Sequence, residues 1–108
     1  MTSGAEGNMG EHSAIHVVDN KAEHRFEAVV DGELAIAAYR RRGDTITFTH
    51  TEVPPALERR GVASALARAA LERVRDEGLR VVPRCPFMAA YIARHPELQP
   101  LLQKTAAD

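Results

Sequence analysis

The sequence holds a single cysteine, Cys85. No internal disulfide can form, a zinc site built on cysteines has too few ligands, and no metal is expected. A lone thiol fits a reducing compartment, where its chemistry or its burial must justify it. No apolar run approaches the roughly 18 residues that span a bilayer, and residues 1–13 lack an apolar secretory segment. A cytoplasmic protein without membrane contact is the resulting expectation. Charge of one sign is also lacking: a net charge of -1 gives no global attraction to nucleic acid, so none is expected as a partner. The only basic run, Arg40-Arg41-Arg42, enters Gly43-Asp44 and reads as a solvated hairpin tip.

What is present is ordinary for a globular chain, with 44% hydrophobic and 27% charged residues. A length of 108 residues predicts one domain with one core, so any site must be built on one sheet and its helices. Residues 1–14 are small, polar and without periodicity, and they read as a disordered tail. Folded structure is expected over 15–104.

Strands are predicted at Ile15 to Val18 and His24 to Val30, the latter with Phe26, Ala28 and Val30 on one face. Asp31-Gly32 is a hairpin signal, because the turn that matches strand twist needs positive φ at both central residues. Glu33 to Tyr39 then returns antiparallel. After Gly43-Asp44, the alternation of Thr45 to His50 places Ile46, Phe48 and His50 on one face and threonines on the other. Val53-Pro54-Pro55 ends that strand.

From Gly61 to Glu77 the apolar residues Val62, Leu66, Ala70 and Val74 recur every fourth position, with Arg68, Glu72 and Asp76 paired on another face. Gly78 suits a left-handed cap, Leu79 to Val82 a fifth strand, and Pro86 the first position of a helix reaching Arg94. A helical turn over Glu97 to Gln103 follows. Strand, helix and strand in succession imply a parallel pair. The fold class is therefore α/β (α+β), a mixed sheet of about five strands.

Where the fourth strand turns into its helix, the first helical N–H groups lack internal partners and face along a positive dipole. Gly61 permits close approach to that end, Arg59 and Arg60 add positive charge, and Val62, Ala63, Ser64 and Ala65 begin the helix with mostly small side chains. Phosphate binding is one reading; a helix that merely starts at a glycine-containing turn is the other.

The stretch His50-Thr-Glu-Val-Pro-Pro-Ala-Leu-Glu-Arg-Arg-Gly-Val-Ala-Ser-Ala-Leu resembles the cofactor segment of the GNAT N-acetyltransferase superfamily, where Gln/Arg-x-x-Gly-x-Gly/Ala wraps the pyrophosphate of acetyl-CoA. Gly61 and Ala63 match the last two fixed positions, whereas Glu58 stands at the first, with Arg59 one place later. Together with Pro83-Arg84-Cys85-Pro86-Phe87 and Tyr91-Ile-Ala-Arg-His-Pro, the segment is similar to the small stand-alone Yjdj-type subgroup. The resemblance covers about residues 15 to 102 and implies a shortened fold, without the helices between the first two strands and without the last strands of longer members. It implies acetyl-CoA as cofactor, N-acetyl transfer to an unidentified amine by direct attack on the thioester, and an open acceptor site. A CoA-binding module with little catalysis is the alternative. A monomer or weak homodimer is expected.

The resemblance assigns the acetyl carbonyl to backbone N–H groups around Glu52 and Val53. His50, titrating near neutral pH, is a candidate base or else a hydrogen-bonded sheet histidine. Cys85 before Pro86 falls at a helix N-cap, where a dipole favours thiolate; it is a candidate nucleophile or a buried, inert thiol. Tyr91 lies where many members place a tyrosine that protonates the leaving thiolate, although Ala93-Arg94-His95 replaces the usual Leu-Gly-Phe after it. Packing is its other reading, and His95 can serve as a helix-terminal cation.

Overall fold

The structure is a computed structural model that describes residues 15–103; the expected disordered tail over 1–14 lies outside them. Alternating apolar residues build strands β1 (Val17–Asn20), β2 (Arg25–Val30), β3 (Glu33–Arg42) and β4 (Thr45–Glu52), and β5 (Arg80–Pro83) completes a five-stranded sheet. Spatial order equals chain order, with every pairing antiparallel except the parallel β4–β5 pair. Asp31 and Gly32 join β2 to β3 with φ of 52° and 79°, the left-handed pair that a twist-matched hairpin turn requires.

The arginine run corrects the expected hairpin tip. Arg40, Arg41 and Arg42 are paired strand residues opposite Thr47, Ile46 and Thr45, and only Gly43 and Asp44 turn. A two-residue turn holds the register to its last pair, so the strand persists through residues whose charge alone suggested a loop.

Helix α1 (Val62–Asp76) buries Val62, Leu66, Ala67, Ala70, Leu71 and Val74 against one face of the sheet, and helix α2 (Pro86–Ala93) adds Met88, Tyr91 and Ile92. They join Phe26, Tyr39 and Phe48, whose rings lie 5.5 to 6.3 Å apart. Short 3-10 turns occupy Pro55–Leu57 and Pro96–Leu101. Asp76 departs from the expected helix-face pairing: its carboxylate lies 3.7 Å from adjacent Arg75, while Arg68 does reach Glu72. On the opposite sheet face, no described residue is buried, and Val18, Val29 and Leu34 stand exposed. The sheet is covered on one side only.

One irregularity positions the site. Ala38 pairs with His50 and Tyr39 with Phe48, which leaves Thr49 as an extra residue in β4, its hydroxyl donating to the Ala38 carbonyl at 3.3 Å. Such a β-bulge inverts the alternation beyond it. Ile46 and Phe48 face the helices as expected, but Thr51, opposite core residue Ala37, takes the next place on that face and His50 goes to the open one. The expected common face for Ile46, Phe48 and His50 is thus corrected: strict alternation assumes no inserted residue.

Helix α1 ends as its glycine implies. The Leu79 N–H donates to the Val74 carbonyl and Gly78 N–H to Arg75, with Gly78 at φ 73°, a Schellman closure whose apolar partner is buried Leu79. Nothing lies within 4 Å of a Cβ added at Gly78, so its substitution acts through backbone strain alone. Gly78→Ala should lower unfolding free energy by about 1 kcal/mol in urea titration; unchanged stability would contradict that cap.

Candidate functional site

The parallel pairing of β4 with β5 stops at Phe48 opposite Pro83. Pro83 offers no N–H, and the next two N–H groups, of Arg84 and Cys85, both donate to the Phe48 carbonyl at 3.0 Å, which steers the chain into α2. Residues 50–52 therefore continue past the end of β5, paired with β3 on one side, and the described residues provide no strand on the other. An open strand edge presents main-chain donors and acceptors to whatever lies beside it.

The N-terminus of α1 follows the end of that edge after the 3-10 turn. Gly61 is its N-cap at φ 78° and ψ 7°, with no side-chain cap, and the first helical bond runs from Ala65 N–H to the Gly61 carbonyl at 3.0 Å. The N–H groups of Val62, Ala63 and Ser64 precede that bond and have no intrahelical acceptor. Arg59 is also left-handed, at φ 67°. For a residue with a Cβ that conformation costs about 1–2 kcal/mol, a strain that tends to sit where the backbone must take a particular shape. Val62 is buried, Gly61 and Ala63 are half-buried, and Ser64, Arg59 and Arg60 are exposed. The Arg60 guanidinium meets Asp31 of the β2–β3 turn at 2.8 Å.

The catalytic candidates do not form one cluster. Cys85, the N-cap of α2 with Pro86 at its first turn, is 3% exposed, and its thiol lies 3.3 Å from the Thr51 hydroxyl on the helix side of the sheet. His50 is on the open side, half-exposed, with Nε2 3.2 Å from a Glu52 carboxylate oxygen. The sheet separates the two. Val53, just after β4, packs against the core.

Tyr91 belongs to a third group. Its buried hydroxyl accepts a hydrogen bond from Arg68 Nε at 3.1 Å, and Arg68 also reaches Glu97 at 3.1 Å. His95 stacks on the Tyr91 ring at 4.0 Å and lies 2.6 Å from the Tyr91 carbonyl through Nδ1, which donates in the matching tautomer. Arg68 is held charged above its ordinary value, chiefly by the Glu97 hydrogen bond. The Glu97 carboxyl is held below the usual range, first by its own backbone N–H and then by Arg68.

Asp31, Thr51, Arg68 and the Glu52 side chain are contacts that sequence reasoning missed. The spacing of His50 and Glu52, two apart in a strand, was a usable signal, because such residues share a face. The others arise from tertiary contacts. A cavity of about 170 Å³ lies elsewhere, near the far end of α1, lined by Tyr39, Asp19, Arg73 and Glu77. There Tyr39 donates to Asp19 at 2.6 Å, and burial followed by that carboxylate raises its pKa.

A helix N-terminus whose first N–H groups lack intrahelical acceptors, following an open strand edge, has the chemistry to hold an anion. The family model described as GCN5-related N-acetyl-transferase matches residues 25–101. The chain belongs to the GCN5-related N-acetyltransferase family. The match begins at β2 and runs through the second 3-10 turn, so it contains the bulge, the open edge and the α1 N-terminus. The chain is similar to Protein NATD1 of Xenopus tropicalis, 32% identical over 92 residues that cover 82% of this chain and 84% of that one. Protein NATD1 of Homo sapiens is 31% identical over 93 residues, 83% of this chain and 82% of that one. Protein NATD1 of Mus musculus is 33% identical over 85 residues, 76% and 77% of the two chains.

A depressed carboxyl pKa stabilises the fold above the unfolded value and ceases to do so as pH falls through the lower folded value. Stability should therefore decline as pH drops below the ordinary glutamate value of 4.5, and Glu97→Gln should make that decline shallower. Parallel acid titrations followed by circular dichroism test this; identical acid limbs would remove Glu97 from the account.

Proposed function

We propose that the protein transfers an acetyl group from acetyl-CoA to an amine, either small or on a protein lysine. The observation that carries this reading is the uncapped N-terminus of α1 beside the open edge of β4. The residues fit the cofactor: the free N–H groups of Val62, Ala63 and Ser64 suit a pyrophosphate, and Gly61 and Ala63 keep the approach clear. When bound, acetyl-CoA supplies a thioester whose carbonyl is activated toward amines.

Arg59 and Arg60 add positive charge to this end. The Arg60–Asp31 pair is no obstacle, because its side chains are 47% and 67% exposed and such a surface pair is worth at most about 1 kcal/mol. A doubly charged phosphate ligand can draw Arg60 away from Asp31. Main-chain N–H groups around Glu52 and Val53 are the assigned donors for charge developing on a carbonyl oxygen, since preorganised donors act without reorganisation. Their contribution does not depend on side-chain identity.

His50 is the assigned base. Glu52 lies 3.2 Å from Nε2 and orients the ring, which leaves Nδ1 to take a proton from the acceptor's ammonium before the free amine attacks. The Tyr91 hydroxyl accepts from Arg68, which leaves its own O–H free to donate to an emerging thiolate. Cys85 has a different duty. Buried, hydrogen-bonded to Thr51 and separated from His50 by the sheet, its thiol has no base at hand, so direct attack by the amine is the assigned route.

That same separation favours a second reading, an acyl-CoA-binding module with little catalysis. Binding alone does not distinguish the two, because both require it; CoA release with a panel of amines and lysine peptides does. Release with at least one amine is expected. Saturable acetyl-CoA binding with no release across the panel would leave the binding module.

Gly61→Val should weaken acetyl-CoA binding by about tenfold or more, since a Cβ intrudes on the N–H cradle and a left-handed β-branched residue is strained by about 1–2 kcal/mol. Calorimetry on the folded variant checks this, and unchanged affinity would refute the cradle. Intact mass after incubation with acetyl-CoA should show Cys85 unmodified; an added acetyl group that disappears on adding amine would replace direct attack with a thiol relay.

A further inference from the structure

The open face of the sheet carries a groove lined by Arg40, Arg42, Thr45, Thr47, Thr49 and Arg84. The placement follows from register. Arg40 stands opposite Thr47 and Arg42 opposite Thr45, so both guanidiniums and the threonine hydroxyls project from the face that no helix covers. Arg84 enters from the turn after β5, held by its N–H to the Phe48 carbonyl. Arg25, Arg41, Arg60, Arg68 and Arg75 each have a carboxylate at ion-pair distance; among the described residues Arg40, Arg42 and Arg84 have none, and neither do Arg59, Arg73, Arg80 and Arg94 elsewhere. What sets this groove apart is that three such guanidiniums line it together.

We infer that this groove docks an acidic, extended protein segment and that the segment carries the acceptor lysine. Residues two apart in a strand recur every 7 Å or so, the spacing at which alternate side chains of an extended peptide also recur. Carboxylates at alternate positions of such a peptide meet Arg40 and Arg42 in step, and the Thr47 hydroxyl donates beside them, those of Thr45 and Thr49 being turned to Asp44 and the Ala38 carbonyl. The groove also has a direction. It runs along β4 to the bulge at Thr49, and the next residue on this face is His50 with Glu52. A segment seated on the arginines therefore brings its neighbouring residues to the proposed base, beside the stretch of β4 that β5 leaves unpaired.

A nucleic acid fits less well. Its single-stranded recognition uses aromatic rings as stacking platforms, and Phe26, Tyr39 and Phe48 all belong to the buried core on the other face. The assignment of the docked segment as acceptor rests on the acetyl-transfer reading, whereas its docking rests on the groove alone.

The test uses the full chain saturated with acetyl-CoA and a fluorescein-labelled peptide of alternating glutamate and serine with one central lysine. Fluorescence anisotropy should show binding about tenfold or more tighter than to the glutamine counterpart. Replacing Arg40, Arg42 and Arg84 together by serine should abolish the difference and leave acetyl-CoA affinity unchanged. Should that variant fail to fold, Thr47→Glu places a repelling carboxylate mid-groove and should weaken the peptide similarly. Equal binding of the glutamate and glutamine peptides, tighter binding of a single-stranded oligothymidylate, or full peptide affinity in a folded groove variant would each overturn the docking inference. Discriminating peptide binding without CoA release from any amine upholds the docking and sinks acetyl transfer. CoA release with small amines but no peptide discrimination does the reverse.

Discussion

Thr49 is one residue more than β4 needs to match β3, and the sheet absorbs it by leaving Thr49 unpaired and tying its hydroxyl to the Ala38 carbonyl. Upstream, Ile46 and Phe48 are committed to the core, with Phe48 fully buried. Downstream, parity is inverted, so Thr51 faces the helices and His50 faces the open side. The last β4–β5 pair lies at Phe48, immediately before this irregularity, so the position where the alternation changes is also where the sheet opens. Moving Phe48 outward to restore alternation would forfeit the transfer energy of a buried aromatic, about 1.5–3 kcal/mol, more than a single threonine hydrogen bond contributes. The core therefore decides where the bulge is expressed.

That constraint explains which parts of the molecule were legible in the sequence. The Asp31-Gly32 hairpin, the Gly78 cap, the α1 apolar stripe and Pro86 at the start of α2 are local signals, and each appears at its expected place. The five-stranded mixed sheet follows from them. Three things were not legible. An inserted residue has no compositional mark, since Thr49 is as good a strand residue as Thr47, so the face of His50 was misassigned. The arginine run reads as a turn because charge suggests solvent, whereas the open face accommodates Arg40 and Arg42, and Arg41 on the helix side reaches Glu77. Partners far apart in sequence, such as Thr51 with Cys85 or Arg68 with Glu97, depend on packing that no local window contains. At the cofactor end, the motif located the turn, but neither the left-handed Arg59 nor the Asp31 contact of Arg60 was visible in it.

Ionic groups lie on both sides of the sheet. On the helix side, Arg68 is compensated by Glu72 and Glu97 and fastens α1 to the C-terminal turn, while Tyr91 and His95 complete the packing around it. On the open side, Arg25 meets Glu27 and His50 meets Glu52, whereas Arg40, Arg42 and Arg84 have no carboxylate at ion-pair distance among the described residues. The first group behaves as architecture and the second as an unfilled electrostatic surface. Tyr91 stands at the boundary, since the contact that orients its hydroxyl is the same one that ties the two helices together.

One-sided coverage of the sheet also shapes the thermodynamics of the whole chain. Apolar side chains on the open face, such as Val18, Val29 and Leu34, are already largely hydrated in the fold, so they add less to the newly wetted apolar area. Heat capacity of unfolding scales with that area. A sheet dressed on one side therefore gives a stability curve flatter against temperature than a sandwich of equal length, with modest strength spread over a broad thermal range.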